Sequence, residues 1–596
     1  MKRLEVSKSS FTTSAGRPLL LAAGLSGALA LGAQAQTQPG KGKARGTIQD
    51  AEIEIVKDRV NTLPEATRNF EKIRLAPPPK PERKVTYSYP DFQLPATRLN
   101  PSVQVLTVAQ EELAPLTGNY LKLGFGNYGT VYGRAHLHSV RNDSYSYGLD
   151  LRHQSSANGP VDGKNSGVSQ TSVTANGEIY RGTTALGATL DLARDRYNFY
   201  GYNNQFVTVP SDDDIKQTFT RFGARVYARN RAPDAQLQYE VGVGFRHFGD
   251  HYGVSENNFL LNAKAGYALS ETSRIVLDAQ GSFISDKEQL NTIGQPGDVT
   301  RTRNFVQATP AVEITGKTGL SVTLGATLGY STDVLYGVSK GAAYPALRVG
   351  YAVVPEKFQL YGGLGGALQR VTRYDLSQEN PWLAPGQTLA DTHAGYTVYA
   401  GFTSTPVSGL ELAARATAGR SRNLYFYRNS PNDGSKFDLV YDSTTINVVN
   451  VHAEALYSAT EKVRVGAKAD YNHYGMKTLA QPFGRPTFLG TLYGTYNVFD
   501  KLLLGANFYY YSRNYGASYA ANGTLPTPVP VPPYLLVETP VQTDAVIDLS
   551  LRADYRITPK FSIFVLANNL ANRRYQPYLN YPVKGINAIA GLTYSF

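Results

Sequence analysis

From Asn119 to Phe596 the chain is a succession of segments in which apolar and polar residues alternate one by one. That period belongs to a strand with unlike surroundings on its two faces. In Ile275–Phe283, Ile275, Leu277, Ala279 and Phe283 stand against Val276, Asp278, Gln280 and Ser282. In 463–472, Val463, Val465, Ala467, Ala469 and Tyr471 stand against Arg464, Lys468, Asp470 and Asn472. In 544–555, Ala545, Ile547, Leu549, Leu551, Ala553 and Tyr555 stand against Asp544, Asp548, Ser550, Arg552 and Asp554. The last ten residues set Ala588, Ala590, Leu592, Tyr594 and Phe596 against Asn587, Gly591, Thr593 and Ser595. A soluble edge strand ending on a bare aromatic would invite aggregation. A strand inserted in a membrane and closed against another strand would not.

Alternation alone does not separate a soluble sandwich from a membrane barrel. The connections do. Tight joints recur at 181–184, 269–273, 315–319, 353–357, 404–409, 458–462, 498–501 and 556–560, and long polar stretches such as 370–393 and 515–544 lie between them. Short turns on one side and long loops on the other are the layout of an outer-membrane barrel. The expected fold class is therefore all-β: a transmembrane antiparallel barrel of about 22 strands, running from near Tyr120 to Phe596. An even count places both ends of the barrel on the short-turn, periplasmic side.

The front of the chain sets the expected compartment. Lys2, Arg3, Lys8 and Arg17 precede the apolar run 19–32 and then Ala33-Gln34-Ala35. This is the order of a secretory signal peptide, and the run is too short to span a bilayer comfortably. The expected division is 1–35 as signal peptide, 36–118 as a periplasmic segment and 119–596 as the barrel. The segment 36–118 holds the stiff, Pro-rich stretch "LAPPPKPERK". The formal charge is +12; Glu5 against the four basic groups makes the leader +3, so 12 less 3 leaves +9. Those basic residues are dispersed, which argues against nucleic acid and for contact with anionic lipid or solute. There are 42 Tyr, 56 Gly and no Cys, a composition that suits the cell envelope.

The closing stretch "FVLANNLANRRYQPYLNYPVKGINAIAGLTYSF" resembles the last two strands of TonB-dependent outer-membrane receptors. The shared features are Asn569-Leu570, Arg573-Arg574-Tyr575, Tyr581-Pro582 with Gly585, and the aromatic last strand. The resemblance implies a 22-strand barrel inserted by the outer-membrane assembly machinery through Tyr594 and Phe596, and energised uptake of a scarce nutrient. The expected partners are outer-membrane lipid, the assembly machinery, and TonB or a partner lipoprotein. Two departures stand out. The segment 36–118 is shorter than that family's globular plug, and its usual Pro-Gly-Arg appears as Pro582-Val583-Lys584-Gly585-Ile586-Asn587. Glu52, Ile53, Glu54, Ile55 and Val56 resemble the short box that pairs with TonB by strand addition. The expected function is solute uptake of that type; the alternative is a plugless barrel acting as a passive pore or as the scaffold of an envelope complex.

No recognisable nucleophile motif suggests an enzyme, and no motif suggests a cofactor. His136 and His138 share a strand face, but two ligands fall short of a metal site. Ser211–Ile215 offers carboxylates without the spacing of a calcium loop. "YGGLGGALQR" (361–370) lacks the helix and Lys of a phosphate loop. Arg134, His136, His138, Arg415, Lys468, Asp548, Arg552 and Asp554 are the expected lumen-lining residues. Tyr374, Trp382, Tyr425 and Tyr427 are expected in the outer loops, gripping a ligand or girdling the interface.

Overall fold

The computed structural model describes residues 118–596 apart from 141, 203–208, 293–294 and 522–535. The leader, the segment up to 117 and the Glu52–Val56 box lie outside the described residues. The first arc is β1 Tyr120–Gly126, β2 Thr130–His138, β3 Tyr145–Ser156, β4 Val168–Arg181, β5 Thr184–Asn198 and β6 Lys216–Asn230. Next come β7 Leu237–Gly249, β8 Ser255–Ala268, β9 Ser273–Thr292, β10 Gln295–Thr315, β11 Leu320–Ser331, β12 Gly341–Val354 and β13 Phe358–Gln369. A short helix, α1 Arg373–Glu379, precedes β14 Thr392–Ser404 and β15 Leu410–Arg422. The loop hairpin β16 Tyr425–Asn429 and β17 Phe437–Tyr441 leads to β18 Ile446–Ser458, β19 Val463–Gly475, β20 Phe488–Val498 and β21 Leu502–Tyr511. A second loop hairpin, β22 Tyr515–Ala521 with β23 Leu536–Gln542, precedes β24 Val546–Arg556, β25 Phe561–Asn568 and β26 Asn587–Ser595.

Twenty-two of these strands form one antiparallel sheet, and β1 pairs with β26 to close it. Closure leaves no unpaired edge, which is what a hydrocarbon surrounding demands of a β-structure. Tyr120 lies opposite Ser595 and Gly126 opposite Ile589, so the last strand ends where the first begins. The seam is tight: a Cβ on Gly591 would lie 2.0 Å from the Leu123 carbonyl oxygen, so only glycine fits there. The bare aromatic ending is thereby explained, with the Phe596 amide donating to the Asn119 carbonyl at 3.0 Å.

The two faces differ as the alternation predicts. Leu121, Leu123 and Phe125 on β1 are 41%, 52% and 71% exposed, and Leu592 on β26 is 60% exposed. Such residues recur on nearly every barrel strand, a band far larger than a soluble monomer tolerates, and they define the lipid face. Carried from strand to strand by the register, the opposite face holds Lys122, Arg134, Asp191, Arg221, Arg303 and Asp554.

The long connections depart from the expectation of polar, solvated loops. The one at 370–391 contains α1 and is largely buried, and those at 423–445 and 512–545 each fold into a hairpin. Tyr200 of the β5–β6 connection, Trp382 of β13–β14 and Tyr581 of β25–β26 touch one another, and Phe437 of β17 touches Tyr581. Rings from far-separated strands thus meet at the long-loop end. The wall face these connections touch is the inner one.

Candidate functional site: the capped mouth of the lumen

The cap begins with a change of phase. The β13–β14 ladder shifts register between Gly365 and Ala367, the mark of a bulge. Beyond it the even-numbered residues turn inward: Leu368 packs against Phe305 and Tyr344 on the inner wall. The same turn directs the chain into the lumen at Arg370 instead of over the rim. The Thr372 side chain then caps α1 by accepting from the Asp375 amide at 3.1 Å.

Ion pairs fasten this segment to the wall. The Arg373 amide donates to Glu256 of β8 at 2.9 Å, and its guanidinium donates to Asp286 of β9 at 2.8 Å. Arg303 of β10 reaches Glu256 at 3.2 Å, pairs with Asp333, and donates to the Val371 carbonyl at 2.6 Å. Arg221 of β6 pairs with Asp195 and donates to the Ser377 hydroxyl at 3.1 Å. Glu256 is 1% exposed, so charge and partner are desolvated together, and removing either alone leaves a buried charge. At the segment's far end Asp391 accepts from the Ser331 hydroxyl at 2.7 Å and the Val371 amide at 2.8 Å. Burial pushes the Asp391 carboxyl up to about 6; Arg303 opposes the shift and Asp333 adds to it.

Above the ion pairs lies a dry aromatic core. Trp382 stacks on Tyr581 with ring centroids 4.0 Å apart, and its indole N–H donates to the Asn198 carbonyl at 3.2 Å. Tyr427, Phe437, Leu439 and Tyr441 of the first hairpin join them. Tyr425 donates to Glu379 at 2.6 Å, and Tyr578 donates to the Glu379 carbonyl at 3.1 Å. A second cluster, with Phe426, Ile446, Phe483 and Ala517, ties the hairpin to the β19–β20 and β21–β24 connections. The buried polar atoms are thus shared among connections, so the cap behaves as one packed body.

The residues singled out in the sequence fall in three places. Trp382, Tyr425 and Tyr427 are inside the cap, with Tyr427 only 1% exposed, while Tyr374 on α1 lies under the Arg246 guanidinium, 5.0 Å from ring centroid to carbon. Arg134 and His136 share Asp150, at 2.9 and 3.3 Å, and His138 faces the Ser139 carbonyl at 2.8 Å. Lys468 pairs with Glu454 at 2.9 Å, and Asp554 takes both Arg552 and Lys122. Arg415 lies 4.4 Å from the centre of the Tyr399 ring. Asp548 accepts from the Tyr575 hydroxyl at 2.7 Å and joins the β25–β26 connection to the wall. The wall residues occupy one face but spread around the ring. Phe596 stacks on Tyr594 at 5.5 Å on the lipid side of the seam. In Ser211–Ile215, Asp212 pairs with Arg196 at 3.0 Å and Asp214 accepts from Ser211 at 2.7 Å.

Sequence reasoning missed Arg221, Glu256, Asp286, Arg303, Arg373 and Asp391. Arg373 and Asp391 lie in the connection 370–391. For Arg221, Glu256, Asp286 and Arg303 the available signal was charge in the polar phase of a strand close to its long-loop end. Nothing local shows which distant loop answers it.

A closed 22-strand barrel with an apolar outer belt, short turns at one end and a loop-built cap at the other defines a transmembrane antiparallel β-barrel. Solved structures share that architecture. The siderophore receptor PirA from Acinetobacter baumannii matches with a TM-score of 0.59 at 12% identity, over 82% of this chain and 81% of its own. The pyoverdine outer membrane receptor FpvA from Pseudomonas aeruginosa PAO1, bound to pyoverdine, matches at 0.60 and 11% identity, over 82% and 79%. The FrpB iron transporter from Neisseria meningitidis matches at 0.58 and 11% identity, over 80% and 81%. No protein-family model and no curated protein matches the sequence. At these identities the likeness is one of fold.

Proposed function

We propose that the protein is an outer-membrane uptake barrel of the TonB-dependent type, exported by residues 1–35 and inserted by the assembly machinery through Tyr594 and Phe596. The observation that carries this reading is the cap. Connections that fold inward, pack a buried aromatic core and lock onto the lumen wall through buried charges suit a gated receptor better than an open pore. A receptor that admits solute on demand needs a closed resting state and a way to open it. The barrels it resembles in fold include siderophore receptors and an iron transporter by name, which supports uptake over scaffolding. Residues 36–118 then lie on the periplasmic side, with Glu52–Val56 as the strand offered to TonB.

The test compares depletion of a complex growth medium by cells with and without the protein, with and without a protonophore. Faster loss of a defined solute that the protonophore abolishes is expected. Equal depletion in all four cultures, or loss that survives collapse of the proton gradient, overturns energised uptake.

A further inference from the structure

The lumen wall is not electrically uniform. Around much of the ring inward cations answer carboxylates: Arg134 with Asp150, Arg225 with Glu240, Lys264 with Asp278 and Arg274 with Glu313 on neighbouring strands, and Lys122 with Asp554 three strands away across the seam. Arg152, Arg464 and Arg556 form no such pair among the described residues. The sector β11–β14 differs in having no acid at all, and the single Lys or Arg of its four strands is Arg348 on β12. On β15 the inward cation is Arg415. The carboxylates nearest to it in the ladder are already engaged, Asp470 by His452 at 2.8 Å and Glu454 by Lys468 at 2.9 Å. Neither Arg348 nor Arg415 has a carboxylate partner among the described residues, and the buried Nε of Arg415 has no hydrogen-bond acceptor.

These two arginines flank a pair of tyrosines. Arg348 lies 5.0 Å from the centre of the Tyr361 ring, and Arg415 lies 4.4 Å from that of Tyr399. The two rings are 6.5 Å apart. The rings lie flat on the wall because each covers a glycine across the ladder. A Cβ on Gly363 would sit 2.5 Å from the Tyr399 hydroxyl, and one on Gly401 would sit 2.7 Å from that of Tyr361. The register staggers the row by one inward step: Arg348 is opposite Gly363, Gly363 opposite Tyr399, and Arg415 opposite Gly401. Three strand spacings, about 14 Å, separate the two arginine backbones.

We propose that this Arg348–Tyr361–Tyr399–Arg415 row is a binding site for an elongated solute with an oxyanion group at each end and an unsaturated or aromatic middle. Guanidinium forks at both ends match carboxylate, sulfonate or phosphate, and the tyrosine edges between them accept a flat apolar centre. With neither arginine paired to a carboxylate among the described residues, an entering anion has no ion pair to displace. The proposal rests on the uptake reading for its purpose and on the wall geometry for its chemistry.

Stilbene-4,4′-disulfonate is a fluorescent probe of this shape. Its binding to the full chain, folded in detergent, is followed by fluorescence anisotropy. Saturable binding is expected, weakened about tenfold or more in Arg348→Gln/Arg415→Gln, since each lost charge-assisted contact is of that order. The control Arg225→Gln/Lys264→Gln removes the same charge from paired positions and is expected to bind as the parent does. Folding of each variant is checked by heat-modifiable mobility on a gel. Equal binding by the first variant, equal loss in the control, or equal binding of the uncharged stilbene-4,4′-dimethanol overturns the site. Loss of the site with energised uptake intact leaves the uptake reading standing; probe binding without any energised uptake does the reverse.

Discussion

Arg373, on a loop helix between β13 and β14, donates to Asp286 on β9 at 2.8 Å. The two residues are 87 positions apart, and four barrel strands lie between their elements. This contact shows how the mouth is closed: the connection leaves its own rim and crosses the lumen edge to a wall it does not neighbour.

Replacing Arg373 should therefore open the cap without unfolding the barrel. Arg373→Ala leaves Asp286 buried and unpaired, with Glu288 3.6 Å from the lost guanidinium, at a cost of about 3–5 kcal/mol. The expected outcome is proteolytic cleavage within 370–391 and higher ion conductance in a planar bilayer, with heat-modifiable mobility unchanged. Conductance and cleavage identical to the parent would detach the ion pair from closure.

Closure should also depend on pH with a defined sign. Burial raises both Asp391, to about 6, and Asp333 above the ordinary carboxylate value. The capped state then binds more protons than the open one between about pH 4 and 6, so its stability rises as pH falls through that window and is flat above it. Hydrogen exchange of the 370–391 amides should slow accordingly on acidification. In Asp391→Asn, where the amide still accepts from Val371, much of that slope should vanish.

The chain's single tryptophan is Trp382, which makes the cap visible by fluorescence. Emission should be blue-shifted and poorly quenched by iodide. Tyr581→Ala removes the ring stacked beneath it from a site with 0% exposure, a loss of about 3–5 kcal/mol of packing. Red-shifted, quenchable emission is expected in that variant. An unchanged spectrum would mean that the aromatic core does not shield the indole.

The assignment of faces is tested one residue at a time on β24. Leu551 is 45% exposed on the outer face, and Leu551→Arg should cost about 2–4 kcal/mol near the bilayer midplane. Ser550, its neighbour, turns inward and donates to Asp548 at 3.1 Å. Ser550→Arg should fold nearly as well as the parent, measured as denaturant midpoint in lipid vesicles. Similar penalties at both positions would put the strand out of register.

The amino-acid sequence by itself determined the barrel. A strand's two faces are decided by period two, so Val465 and Leu551 outward with Lys468 and Arg552 inward follow from local order alone. Turn lengths, also local, set the strand count, and the pairing of Tyr120 with Ser595 follows once 22 strands must close. The cap was decided only by tertiary structure. The bulge at Gly365–Ala367 reverses the phase that carries Arg370, and no alternation announces it. Tyr374, Trp382, Tyr425 and Tyr427 read from sequence as loop aromatics free to hold a ligand or line an interface. Their role depends on which distant connections share the mouth, a question of packing among Tyr200, Phe437 and Tyr581 that spacing along the chain does not encode. Charges behave the same way: Arg348 and Arg134 look alike in sequence, and only the neighbouring strands, one with an Asp150 and the other with none, make one a wall tie and the other an open cation.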